Sequence, residues 1–149
     1  MITMKTRELK FRVWNGVEWL GVDEFTLLDL EHPYKGYTFQ QFTGILDEDD
    51  KEIYEGDLVE IIYGENLVAE VYFQTNMSCI RLKCNDGQSY PFVAYRFDET
   101  NKPIGVVNVA KKVIGNIFEN KDLLCDHMNS HISVNGNCYN CGKLIFPKK

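Results

Sequence analysis

The chain reads as a mainly β protein: an N-terminal β-hairpin region, then a small barrel, then a short Cys/His segment at the C-terminal end. Three observations predict this. Apolar and polar residues alternate at period two along most of the sequence, while helical periodicity is nearly absent. Five or so short strand-like runs lie close together with tight-turn signals between them, which favours a small barrel over a layered α/β fold. Strand patterning then stops after Leu124, where three of the five cysteines and two of the three histidines gather.

The first run is Glu8 to Trp14. Leu9, Phe11 and Val13 share one face of an extended chain, and Glu8, Lys10 and Arg12 take the other. Asn15-Gly16 follows, a pair that tolerates the positive φ angles of a tight hairpin, so Val17 to Leu20 is predicted to return as the paired strand. Between Asp23 and Phe39 a short apolar stretch is mixed with turn residues and defines no element.

The second half is cleaner. Leu58 to Tyr63 and Leu67 to Phe73 flank Gly64-Glu65-Asn66, a hairpin-length gap. Cys79 to Cys84 and Ser89 to Val93 flank Asn85-Asp86-Gly87-Gln88 in the same way. Pro91 cannot donate a ladder hydrogen bond, which marks its strand as an edge. Gly105 to Asn120 supplies one or two closing strands. No internal repeat or low-complexity run stands out.

At 149 residues, 44% of them apolar and 13% aromatic, the chain suits one packed domain with a small appendage. No apolar run approaches the ~20 residues needed to span a bilayer. The N-terminus turns to alternating charge before a signal-like stretch forms, so a cytoplasmic location is expected. Charge is uneven within a net of −6: residues 1–124 carry 13 basic and 21 acidic side chains, residues 125–149 carry 3 and 1. An acidic body disfavours a sequence-independent grip on a phosphate backbone. Five cysteines are an odd number, which argues against a disulfide framework. Cys79 and Cys84 fall on opposite faces of one strand and read as small, partly buried thiols.

Seven carboxylates crowd Asp47 to Asp57. A calcium loop begun at Asp47 fails, because Lys51 stands at its fifth position, Glu52 replaces the glycine and Leu58 replaces the final glutamate. No pair among these acids is singled out for glycosidase chemistry. They read as turn residues, with one turn at Asp47 to Asp50 and a second at Glu55-Gly56-Asp57.

The same stretch, Gln41 to Val59, resembles the central signature of the YopX family, small proteins encoded largely by bacteriophages and prophages. Arg7 to Trp14 resembles the family's charged strand ending in an aromatic, and Lys112 to Leu124 its closing strand and tail. Asp49-Asp50 departs from the Asn-Gly or Asp-Gly turn frequent in relatives. The resemblance implies a β-rich fold with an SH3-like barrel, here about residues 52–120 of a 1–124 domain. It implies no activity and supplies no catalytic residues.

The 125–149 tail carries sharper chemistry. Cys138 and Cys141 form a C-x-x-C-G knuckle with Gly142, and Cys125 with His127 offers a second S/N pair upstream. Three thiolates and one imidazole make a tetrahedral structural zinc site with no open position for water. His131 is the alternative to His127. A segment this short has little core, so metal would supply most of its folding energy. His32, before Pro33, reads as a loop residue.

The motifs of the common catalytic sites are missing: no nucleophile elbow, no P-loop, no dinucleotide fingerprint, no H-E-x-x-H. The expected function is therefore non-enzymatic: a phage or prophage accessory protein, in the cytoplasm of the bacterial host, that binds a macromolecule. A protein partner or self-association is favoured by the acidic body. The alternative is nucleic acid, contacted through Lys143, Lys148 and Lys149 with Tyr139 and Phe146 as stacking candidates. Neither a membrane nor a small-molecule substrate is expected.

Overall fold

A computed structural model describes residues 9–21, 36–63, 67–84 and 88–124. Eleven strands are present among them, and the helical element there is a single 3-10 turn, Lys121–Leu124. The chain divides into two compact units at the Glu55–Gly56 bond.

The first unit holds a four-stranded antiparallel sheet of order β2-β1-β3-β4, from β1 (Phe11–Trp14), β2 (Trp19–Leu20), β3 (Thr38–Leu46) and β4 (Glu52–Tyr54). Val13 and Ile53 are fully buried; of the apolar face read from the sequence, Val13 is buried, Phe11 half-buried and Leu9, ahead of β1, 70% exposed. The hairpin after Trp14 forms, but not as a two-residue turn. Trp14 pairs with Trp19, leaving Asn15 to Glu18 as a four-residue loop with Val17 exposed in it. The reason is the Asn15 side chain, whose Oδ1 accepts from the Val17 and Glu18 amides at 2.8 and 2.9 Å. That wider loop also lets the Trp14 and Trp19 rings meet edge to face at 5.1 Å.

β3 was not legible as a strand because a bulge interrupts its alternation. Phe42 pairs with Tyr54 and Leu46 with Glu52, so β3 spends two more residues than β4 over the same span. Gly44 lies inside this bulge at φ +83. The Thr43 hydroxyl completes the interrupted ladder, donating to the Ile53 carbonyl at 2.8 Å and accepting from the Ile45 amide at 3.2 Å.

The second unit holds a five-stranded antiparallel sheet of order β11-β5-β6-β7-β8, from β5 (Asp57–Ile61), β6 (Val68–Gln74), β7 (Cys79–Cys84), β8 (Ser89–Pro91) and β11 (Ala110–Asn116). The last strand lies beside the first, as a rolled small-barrel sheet requires. The end strands β11 and β8 do not pair among the described residues, so the sheet is open rather than a closed barrel. Pro91 sits on end strand β8, the edge its missing N–H demands. Leu58 and Val59 point to opposite faces of β5 and both are fully buried, so this strand is covered on both sides. With Ala69, Val71 and Leu82 they form the core. Truncating a large member of such a set typically costs about 2–5 kcal/mol. Cys84 is buried and Cys79 half-buried, and neither is in a disulfide among the described residues.

Between β8 and β11 the chain makes a separate two-stranded ribbon from β9 (Val93–Phe97) and β10 (Pro103–Asn108). Its base is pinned by Phe92 and Val109, both buried: the Val109 amide donates to the Phe92 carbonyl at 3.0 Å, and the Ile62 amide to the Val109 carbonyl at 3.1 Å. β9 was missing from the sequence expectation, which ended the β8 strand at Val93. The Gly64–Asn66 and Asn85–Gly87 turns and residues 125–149 lie outside the described residues.

Candidate functional site

The acidic stretch resolves into separate local tasks. Asp47 is buried at the head of its loop, where Oδ1 accepts from the Asp49 and Lys51 amides, both at 2.9 Å. Glu48, Asp49 and Asp50 are exposed on the rim. Glu52 joins an ion pair on the first sheet. Asp57 is buried at the start of β5, in register with Asn116 of β11. Among the described residues no three His, Cys, Asp or Glu side chains form a group that could hold a metal ion.

On one face of the first sheet, Lys10, just ahead of β1, and Arg12 of β1 meet the aromatics of neighbouring strands. The Arg12 guanidinium lies 4.3 Å from the Trp19 ring centroid and 4.7 Å from that of Tyr54, with Nε donating to Gln40 Oε1 at 2.8 Å. Lys10 Nζ pairs with Glu52 Oε1, and the Tyr54 hydroxyl donates to Glu52 Oε2 at 2.8 Å. The hydrogen bond to Glu52 raises the Lys10 pKa. Lys10 and then Tyr54 hold the Glu52 carboxyl below the usual range. Burial, followed by the Glu52 bond, pushes the Tyr54 phenol up. All three shifts deepen the ordinary neutral-pH states, whereas a catalytic base or nucleophile needs its pKa moved towards neutrality. This cluster packs a sheet face.

The β9–β10 ribbon is different, because it presents apolar side chains to solvent. Tyr95 pairs with Val106 across the ribbon, and Val93 and Phe97 flank Tyr95 on the same face at period two. Tyr95 and Phe97 rings lie 6.5 Å apart. Tyr95 is 69% exposed, Val106 63%, Phe97 56% and Val93 45%. Ile104, the extra residue of a bulge between Pro103 and Gly105, is 61% exposed beside them. Single exposed apolar residues are ordinary, but a contiguous set on one ribbon marks an interaction surface. The sequence did carry a signal, since Val93, Tyr95 and Phe97 alternate with Ala94 and Arg96; lying directly after a predicted edge strand, they were not separated from it.

The predicted metal ligands Cys125, His127, Cys138 and Cys141, with His131 as the alternative, lie outside the described residues. So do His32, Tyr139, Phe146 and the tail lysines. No helix among the described residues is long and apolar enough to cross a membrane.

Comparison with known proteins bears on the body of the chain. A family described as YopX protein matches residues 17–125. The match begins after the Arg7–Trp14 segment and stops ahead of His127, Cys138 and Cys141. No curated protein matches the chain. Among solved structures, the crystal structure of protein EF1440 from Enterococcus faecalis is similar at 22% identity, with a TM-score of 0.41, covering 80% of this chain and 99% of that one.

Proposed function

The chain belongs to the YopX protein family, and from that premise we propose a non-enzymatic phage or prophage accessory protein that binds a macromolecule, with a protein as the partner. The family is not a known enzyme family. The observation that carries the reading is the exposed apolar face of the β9–β10 ribbon, built around Tyr95 and Val106. An apolar patch on a body of net negative charge suits a protein surface better than a phosphate backbone. The Cys125, His127, Cys138 and Cys141 set is proposed to hold one structural zinc, with His131 able to replace His127, and the tail to act as an appendage to the body. The place of action is the cytoplasm of the bacterial host.

The test is affinity capture from lysogenic host cells, with and without nuclease, using the full chain and a Tyr95→Lys variant. Capture of a defined protein that survives nuclease and is lost in Tyr95→Lys supports the reading. Recovery that vanishes with nuclease, or on removal of residues 125–149, would transfer the function to the basic tail and nucleic acid.

A further inference from the structure

We propose that the occupant of the β9–β10 face is a second copy of this chain, the two ribbons packing face to face about a two-fold axis at the Tyr95–Val106 pair. The inference rests on the ribbon being a docking surface and names what covers it. A two-stranded ribbon is marginal by itself and needs packing on one face. Here β9 and β10 pair with each other and with no other strand among the described residues. The exposed parts of Val93, Tyr95, Phe97, Ile104 and Val106 amount to on the order of 500 Å². Two copies therefore bury about 1,000 Å², the lower bound for a specific interface.

Charge fits the same arrangement. The face itself is uncharged, so the net charge of −6 meets no like charge at the centre of the contact. Glu99 lies four residues beyond Tyr95 towards the ribbon tip, and Lys111 five beyond Val106 away from it, both exposed. Packed tip over base about a two-fold axis that crosses the strands at Tyr95–Val106, the ribbons bring the Glu99 end of each towards the Lys111 end of the other. Pairing through the free edge of β10 is the weaker geometry. Pro103 removes a donor there, and the bulge at Ile104 and Gly105 breaks the ladder.

Sedimentation equilibrium of the full chain decides it. The expected result is a monomer–dimer equilibrium with a dissociation constant on the order of 10–100 µM, a weak association suited to a contact at the lower size bound. Tyr95→Lys and Val106→Lys should each give monomers with an unchanged circular dichroism spectrum. Should either variant fail to fold, Glu99→Lys decides, since it leaves the apolar face intact and should weaken the dimer about 3- to 10-fold through two symmetric contacts. A wild-type chain that stays monomeric at several hundred micromolar overturns the proposal, as does a dimer indifferent to all three substitutions. If the chain is monomeric while Tyr95→Lys still abolishes capture of a host protein, self-pairing falls and the docking surface stands. If neither property depends on Tyr95, both fall.

Discussion

Asp47 and Asp98 do the same work at two hairpin tips, one in each compact unit. Each opens a five-residue loop, Asp-Glu-Asp-Asp-Lys at 47–51 and Asp-Glu-Thr-Asn-Lys at 98–102. In both, the first amide donates to the fifth carbonyl, at 2.8 Å from Asp47 and 2.9 Å from Asp98, and the fourth amide donates back to the first carbonyl. In both, the Asp Oδ1 accepts from the third and fifth amides, at 2.9 and 2.9 Å for Asp47 and 2.8 and 3.0 Å for Asp98. The fourth residue is left-handed in each, Asp50 at φ 60 and Asn101 at φ 61. Asp and Asn tolerate that region better than other non-glycine residues, which is why the fourth place can forgo a glycine. The repetition is local chemistry selecting one loop twice, too short to register as a sequence repeat.

Asp47→Ala should therefore cost about 1–2 kcal/mol, the toll of two loop amides losing their acceptor beside a buried site. Asp98→Ala acts at an exposed tip and should lower the melting temperature less. Asp→Asn at either position keeps Oδ1 and should cost less than Asp→Ala. Urea denaturation of the four variants checks the order, and equal losses for Ala and Asn would discard the acceptor role.

Stability should fall at both ends of the pH scale, for reasons that meet at Glu52. The Glu52 and Asp98 carboxyls are held below their usual range, Glu52 by Lys10 and Asp98 first by the Thr100 hydroxyl and then by the Lys102 amide. Their contributions are present above about pH 4 and are lost as pH falls through the lower folded values. Lys10 and Tyr54 are raised, so their contributions are present below about pH 10 and lost as pH rises through the higher folded values. Glu52→Gln should flatten the alkaline fall as well as part of the acid one, because Glu52 is the largest cause at Lys10 and the second at Tyr54. Thermal melts from pH 2 to 11 read this directly; an alkaline limb unchanged in Glu52→Gln would sever the linkage.

Gly115→Ala should be disruptive although Gly115, at the register shift of β11, is not in the left-handed region. A Cβ there would stand 2.5 Å from Asn120 Oδ1 and 2.9 Å from Asn120 Cβ, so the whole Asn120 side chain must move. That side chain accepts from the Asn116 amide at 3.2 Å, in the turn where Asn116 Oδ1 in turn accepts from Phe118 and Glu119 amides at 2.9 and 3.1 Å. The expected cost is about 1–3 kcal/mol. Combining it with Asn120→Gly should cost less than the sum of the two singles, since the clash and the lost bond share one side chain. Strict additivity in denaturant unfolding would show that the close approach is relieved some other way.

What could be read from the sequence was whatever followed period two without interruption. β6 and β7 matched their predicted runs to within a residue, and Pro91 marked its edge because a missing donor is a local property. β3 escaped because Gly44 and the bulge break its alternation, and β9 because it follows β8 across a single bend at Phe92. The role of Asp57 also escaped. In the sequence it is one acid among seven and reads as a turn residue, and only the pairing of β5 with β11 buries it opposite Asn116. The exposed face of the ribbon was hidden for a related reason: a half-buried strand and an exposed one have the same alternation, and only the exposure of Tyr95 and Val106 in the folded chain tells them apart.

The tail offers the last test, because its chemistry is written in ligand types rather than in tertiary contacts. One zinc per chain should accompany protein purified without chelators, since three thiolates and one imidazole complete one tetrahedral site. Cys138→Ser and Cys141→Ser each remove a thiolate that oxygen replaces poorly, and each should release the metal. The β body should keep its circular dichroism and melting transition, because its buried core, Leu58, Val59, Val71 and Leu82 among it, lies in residues 1–124. His127→Ala and His131→Ala should separate the two candidates for the fourth ligand: the true ligand's loss should weaken zinc binding at least tenfold, the other's should leave it unchanged. Zinc must compete with protons for the thiolates, so affinity should fall as pH drops below neutrality. Protein that carries no metal and takes up none from added zinc would remove the site.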